Sequence, residues 1–244
     1  MPEGPTIILL REEVDYFSGQ KVIDISGNTK IDLNRLLNKK VIAFKSWGKH
    51  FLICFEGFTI RIHFLMFGSY TINETKPNRQ IRLHLGFKNG ELNFYASAVK
   101  VLEGDINDHY DWSGDIMNPE WDPAAAKKKL KDIPDELISD ALLNQNIFAG
   151  LGNIIKNEVL FRAKVHPESI VGKIPTKKIS ELVKESHEYA FDFLNWKRDY
   201  ELSKNWLIYT KKTCPICKAP VIKKYIGKTK RRTFYCNKDQ KLYK

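Results

Sequence analysis

Short apolar or alternating runs fill the first hundred residues, and helical spacing replaces them after about residue 120. The runs 41–44, 51–55, 59–64, 69–72, 81–87 and 91–95 are separated by turn residues, notably Trp47-Gly48-Lys49, Glu56-Gly57 and Lys88-Asn89-Gly90. That pattern predicts strands, and Asn89-Gly90 between two of them is a hairpin signal. Before the strands, Ile7, Leu10, Val14 and Phe17 are spaced for one helix face, with Gly19 just beyond, which predicts a helix over 6–17. Together these predict a two-layer β-sandwich or barrel flanked by a helix. Residues 103–123 are rich in Asp, Gly, Asn, Pro and Trp and read as a linker. Asp122 then Pro123 marks a helix start, and helical patterns follow at 134–143, 154–161 and 176–194.

Composition changes this picture mainly at the C-terminus. The chain has 244 residues, 43% hydrophobic and 12% aromatic, enough for a packed core. No run approaches the roughly 18 apolar residues of a membrane helix, and no secretory signal is evident, so a cytosolic protein is expected. The formal net charge is +11. Residues 211–244 hold twelve Lys/Arg against one acid, Asp239, so the tail carries the whole excess. A surplus concentrated in this way predicts a polyanion-binding module. Cys214, Cys217, Cys236, Phe234, Tyr235 and Ile226 in the same segment predict that it folds.

Three segments carry candidate chemistry. Cys214-Pro-Ile-Cys217 and Cys236-Asn-Lys-Asp239 are separated by eighteen residues, a zinc-ribbon spacing in which the fourth position is aspartate. The ligand set is either Cys₃Asp or is completed by water or a distant group; the alternative is a finger without metal. Between the knuckles, apolar residues flank a turn rich in Gly, Lys and Arg, which predicts a hairpin with cations for phosphate at its tip. The segment 142–161 reads as helix, Gly150/Gly152 turn, helix, with exposed amides and the Asn153 side chain at the second helix start forming a phosphate site; the alternative is a plain αα-hairpin. At the N-terminus, removal of Met1 would expose the secondary amine of Pro2. An α-amino group titrates at about 7.7–8, so a useful fraction is nucleophilic at neutral pH.

These three features, in this order, resemble the formamidopyrimidine-DNA glycosylase/endonuclease VIII family. The resemblance runs over nearly the whole chain: Met1-Pro2-Glu3-Gly4-Pro5, the segment Leu143-Asn144-Gln145 through Gly150-Leu151-Gly152-Asn153 to Glu158-Val159-Leu160-Phe161, and the C-terminal finger. It implies an α+β multidomain chain: an N-terminal β-sandwich catalytic domain (1–120), a helix–two-turn–helix DNA-binding domain (121–210) and a zinc-finger β-hairpin (211–244). It also implies roles. Pro2 is the nucleophile that forms a Schiff base with the sugar, and Glu3 donates a proton during sugar opening. Lys49 assists catalysis and contacts phosphate, Asn153 binds phosphate, and the finger arginine Arg231 grips the lesion's phosphates and takes part in the second elimination; an offset to Arg232 stays open. Leu65, Met66 and Phe67 resemble the loop that fills the hole left by a flipped nucleotide, or else are strand core. Cys214, Cys217, Cys236 and Asp239 hold one structural Zn²⁺.

Pro2-Glu3-Gly4-Pro5 is similar to the endonuclease VIII branch, and no Arg-x-Phe element of the purine branch occurs near residues 95–104. The expected activity is therefore excision of oxidised pyrimidines from double-stranded DNA by a monomeric bifunctional glycosylase/lyase, with strand cleavage by β- and δ-elimination. Two rivals stand beside it: an oxidised-purine glycosylase, and a non-catalytic DNA-binding protein on the same scaffold.

Overall fold

Gly4 and Pro5 open the first helix, α1 (Gly4–Val14), where the missing proline N–H costs nothing. A single 3₁₀ turn at Asp15–Phe17 continues it, so Ile7, Leu10, Val14 and Phe17 all reach the core as their spacing predicts. The computed structural model describes residues 2–244 and comprises two units, Met1–Asp111 and Trp112–Lys244.

The first unit is an antiparallel six-stranded sheet. Its strands are β1 (Asp24–Ser26), β2 (Ala43–Trp47), β3 (His50–Phe55), β4 (Phe58–Ile72), β5 (Ile81–Phe87) and β6 (Gly90–Glu103), in the order β1-β5-β6-β4-β3-β2. The runs 59–64 and 69–72 belong to one long strand rather than two. The β4–β6 register shifts between Phe64 and Ser69, where the ladder is interrupted. Such an irregularity bends a long strand, and the two halves of the sheet form the layers of a β-sandwich. Phe51 from one half and Phe94 from the other meet with ring centroids 5.8 Å apart, inside one buried cluster that also takes the apolar face of α1.

In the second unit, Asp122 caps α2 (Pro123–Lys131) by accepting from the amides of Ala124 and Ala125 at 2.7 and 3.1 Å. The helix expected over 134–143 shrinks to one turn, α3 (Ile138–Ala141). The reason lies in the backbone. The carbonyls of Pro134 and Glu136 accept from Gly172 and Val171, and Leu137 bridges to Ile170, so those groups are not available to a helix. Then come α4 (Asn153–Arg162), α5 (Thr176–Arg198) and the hairpin β7 (Ile222–Ile226) and β8 (Arg231–Tyr235). Among the described residues, no helix is long and apolar enough to cross a membrane.

Candidate functional site

The first unit assembles the start of the chain with the irregular part of β4. Pro2 is half-buried and precedes Glu3, the N-cap of α1, which is fully buried. The Glu3 carbonyl accepts from Thr6 N–H at 2.9 Å, and the Glu3 amide donates to Thr6 Oγ1 at 3.5 Å. A helix N-terminus favours negative charge, which suits a carboxylate here. Pro2 lines a cavity of about 160 Å³ with Thr6, Ile7, Phe64, Gly68, Ser69 and Tyr70. The cavity therefore sits at the root of Leu65, Met66 and Phe67. Those three side chains are 50%, 56% and 78% exposed, which removes the strand-core alternative for them. Gly68 permits the irregularity: a Cβ there would meet the Ala96 carbonyl oxygen and the backbone of Phe64 and Leu65 at 2.9 Å.

Lys49 lies in the turn after β2, beside Gly48 with its φ of +53°. The flanking rings hold that turn. Trp47 packs on Tyr110 at 5.0 Å and donates its indole N–H to the Asp111 carbonyl at 2.8 Å. His50 Nδ1 lies 3.1 Å from the Tyr110 hydroxyl, and His50 and His63 meet edge to face at 5.4 Å. Burial, reinforced by Arg61 and His63, pushes His50 down to about 3. Burial also lowers His63, with Lys49 and Arg61 adding to the effect. At neutral pH the imidazoles beside the lysine turn are uncharged.

In the second unit, α4 presents polar side chains to β8. Asn153 is buried, and its Nδ2 donates to the Arg232 carbonyl at 2.9 Å. Lys156 Nζ donates to Thr233 Oγ1 at 2.8 Å, and Asn157 Oδ1 accepts from the Phe234 amide at 2.7 Å. Side chains alternate along a strand, so Arg231 shares the face of Thr233, which meets α4, while Arg232 shares the face of exposed Tyr225, its cross-strand partner. The hairpin tip is held separately. Asp140 accepts from the Lys228 amide at 2.9 Å and from Thr229 Oγ1 at 3.3 Å, and Glu136 pairs with the Lys228 ammonium.

Cys214, Cys217, Cys236 and Asp239 converge, each offering a ligand atom, all within 4.8 Å of one another. Asp239 Oδ2 accepts from Cys214 Sγ at 2.9 Å and from Cys236 Sγ at 3.3 Å, and the Cys217 and Cys236 sulfurs are 3.4 Å apart. Tetrahedral zinc with Zn–S of about 2.3 Å spaces its sulfurs by roughly 3.8 Å, so this cluster needs only small adjustments to fit one. The bond to Asp239 pushes the Cys217 thiol up to about 12, while the thiols hold the Asp239 carboxyl below its usual range. A divalent cation would take the place of those shared protons. The second knuckle is anchored through Gln240, which accepts from the Cys236 amide at 2.8 Å and donates to the Val165 carbonyl at 2.9 Å.

The structure thus brings Pro2 and Glu3 to the root of residues 65–67 in one unit, and Asn153 to the strand of Arg231 in the other. Sequence reasoning missed Lys156, Asn157 and Asp140 as partners of the hairpin. It also missed Glu158, fully buried, whose carboxylate accepts from the amides of Leu207, Ile208 and Tyr209 at 2.8–3.0 Å. The available signal was four polar residues, 153 and 156–158, in a helix that is otherwise apolar as far as Arg162.

Two family models match the chain: the formamidopyrimidine-DNA glycosylase N-terminal domain over residues 1–98, and the formamidopyrimidine-DNA glycosylase H2TH domain over residues 115–189. Mouse endonuclease 8-like 3 is 29% identical over 86% of this chain and 36% of its own length. The chain thus spans little more than a third of that relative. The DNA-(apurinic or apyrimidinic site) lyase Nei2 of Mycolicibacterium smegmatis is 29% identical over 75% of this chain and 71% of its own. A Lactococcus lactis formamidopyrimidine DNA glycosylase, solved non-covalently bound to DNA containing an AP site, superposes with a TM-score of 0.86 at 23% identity. That match covers 98% of this chain and 99% of the other, and it shows a shared fold.

Proposed function

The chain belongs to the formamidopyrimidine-DNA glycosylase/endonuclease VIII family, and on that premise we propose that it is a bifunctional DNA glycosylase/AP lyase acting on oxidised pyrimidines. The observation that carries this reading is the setting of Pro2: beside a buried carboxylate, at a helix N-terminus, on a cavity at the root of three exposed apolar side chains. The Pro2 amine attacks the anomeric carbon of an extruded nucleotide, the base departs, and an iminium links protein to sugar. Glu3 supplies the proton for sugar opening. The iminium acidifies the neighbouring C–H, so the 3′ phosphate leaves by β-elimination and the 5′ phosphate by δ-elimination. Water then releases Pro2. Leu65, Met66 and Phe67 fill the space the nucleotide vacates, which offsets an unstacking cost of roughly a few kcal/mol.

Lys49, Asn153 and Arg231 are the proposed backbone contacts, largely blind to sequence. The face shared with Thr233 favours Arg231 over Arg232 as the finger arginine. Zinc held by Cys214, Cys217, Cys236 and Asp239 would be structural, since four protein ligands leave no open position. The preference for pyrimidines draws on Pro2-Glu3-Gly4-Pro5 and on β6, which runs unbroken through Ala96-Ser97-Ala98 without an Arg-x-Phe loop.

The test compares excision of thymine glycol and of 8-oxoguanine from otherwise identical duplexes by protein shown by mass to lack Met1. Faster release of thymine glycol is expected. Preference for 8-oxoguanine would overturn the pyrimidine assignment, and inactivity on both would overturn the enzymatic one.

A further inference from the structure

We propose that Lys156 is a positioning residue for Arg231, acting through the Thr233 hydroxyl; this rests on the reading of Arg231 as a DNA-phosphate contact. Lys156 is only 1% exposed. Burying an ammonium group is unfavourable unless its donors find acceptors. Its Nζ donates to Thr233 Oγ1 at 2.8 Å, and Thr233 is itself fully buried.

That contact has a directional consequence. An ammonium group has donors and no acceptor, so the Thr233 oxygen receives from Lys156 and must send its own proton elsewhere. The Arg231 carbonyl lies 3.0 Å away and takes it. The relay therefore runs Lys156 Nζ to Thr233 Oγ1 to the Arg231 carbonyl oxygen. It is flanked by Asn153 on the Arg232 carbonyl and Asn157 on the Phe234 amide. Residues 153, 156 and 157 lie on one helical face. Together they reach every residue of β8 from 231 to 234, directly or through the Thr233 hydroxyl. Hairpin strands in water are marginally stable on their own. Here the strand carrying the phosphate-gripping guanidinium is fixed before DNA arrives, so less ordering is left for binding.

A double-mutant cycle tests this on the full, zinc-loaded chain. Affinity for an undamaged duplex is measured for wild type, T233V, K156M, R231A and the two doubles with R231A. R231A is expected to weaken binding roughly tenfold in the wild-type background. If the relay sets Arg231, T233V and K156M each weaken binding several-fold, and R231A then costs less than about twofold in either background. T233S keeps the hydroxyl and restores wild-type affinity. Should K156M fail to fold, T233V carries the test, since it keeps the lysine and nearly the same shape. An equal cost of R231A in all backgrounds would overturn the proposal, as would wild-type binding by T233V. Coupling is read from binding alone, so an absence of strand cleavage would count against the proposed activity and not against the relay.

Discussion

The two units build their candidate sites from opposite materials. In the first, the distinctive side chains are apolar and face solvent: Leu65, Met66 and Phe67 stand out from a bend in β4 above a cavity lined by Pro2. In the second, they are polar and buried: Asn153, Lys156, Asn157 and Glu158 turn inward from α4 and are spent on backbone and hydroxyl partners in β8 and in residues 207–209. The contrast follows the task each surface is proposed to perform. A side chain that replaces a stacked base must offer an apolar body and needs no fixed partner. A guanidinium that grips phosphate must be aimed, and aiming a two-stranded hairpin takes directional bonds.

Four substitutions sharpen or break that comparison. Glu158→Gln should be the most damaging, because a buried carboxylate serving three amides cannot be replaced by one carbonyl. A loss of about 2–4 kcal/mol in urea unfolding of the second unit is expected. A loss under about 0.5 kcal/mol would mean that residues 207–209 are held by other contacts. Gly227→Ala comes next. Its φ is +77°, and a Cβ would lie 2.3 Å from the Asp140 carboxylate oxygens, so the tip must shift at a cost of about 1–2 kcal/mol, with weaker DNA binding.

In the first unit, half-buried His50 predicts a pH effect. Folded His50 stays neutral down to about 3, whereas the unfolded chain protonates below about 6.5. The unfolded state then binds more protons, so stability falls as pH drops through that window. His50→Gln should flatten the decline between pH 7 and 5.5 by about 1 kcal/mol, seen in urea titrations at each pH. The smallest stability effect belongs to Phe67→Ala, within about 0.5 kcal/mol at so exposed a position. Its effect should appear instead as slower base excision from duplex DNA. An unfolding loss well above that value would mean that Phe67 packs as core.

Legibility in the sequence followed the same divide. The α1 face at Ile7, Leu10, Val14 and Phe17 was readable because apolar periodicity and burial coincide there. The Cys spacing was readable because metal geometry ties ligands to short knuckles, and the structure adds that Asp239 reaches the three sulfurs. The bend in β4 was not readable, since 59–64 and 69–72 give the same signal as two separate strands. Nor was the buried face of α4. Its partners lie in β8, 77 to 79 residues further along the chain, and periodicity carries no information about hydrogen bonds at that distance. Asn153 shows the consequence: the sequence pointed to its amide as a phosphate contact, and gave no sign that the same amide also donates to the Arg232 carbonyl of the hairpin.

The most direct test of the account is borohydride trapping on a duplex with a single thymine glycol, comparing wild type lacking Met1 with Pro2→Ala. A covalent protein–DNA adduct from wild type and none from the variant is predicted, because the iminium carbon is bonded to the Pro2 nitrogen. Equal trapping by both proteins, with the adduct mapped away from residue 2, would place the nucleophile elsewhere. No adduct from either on this duplex or on an 8-oxoguanine duplex, despite tight binding, would contradict the account and leave a non-catalytic DNA-binding protein.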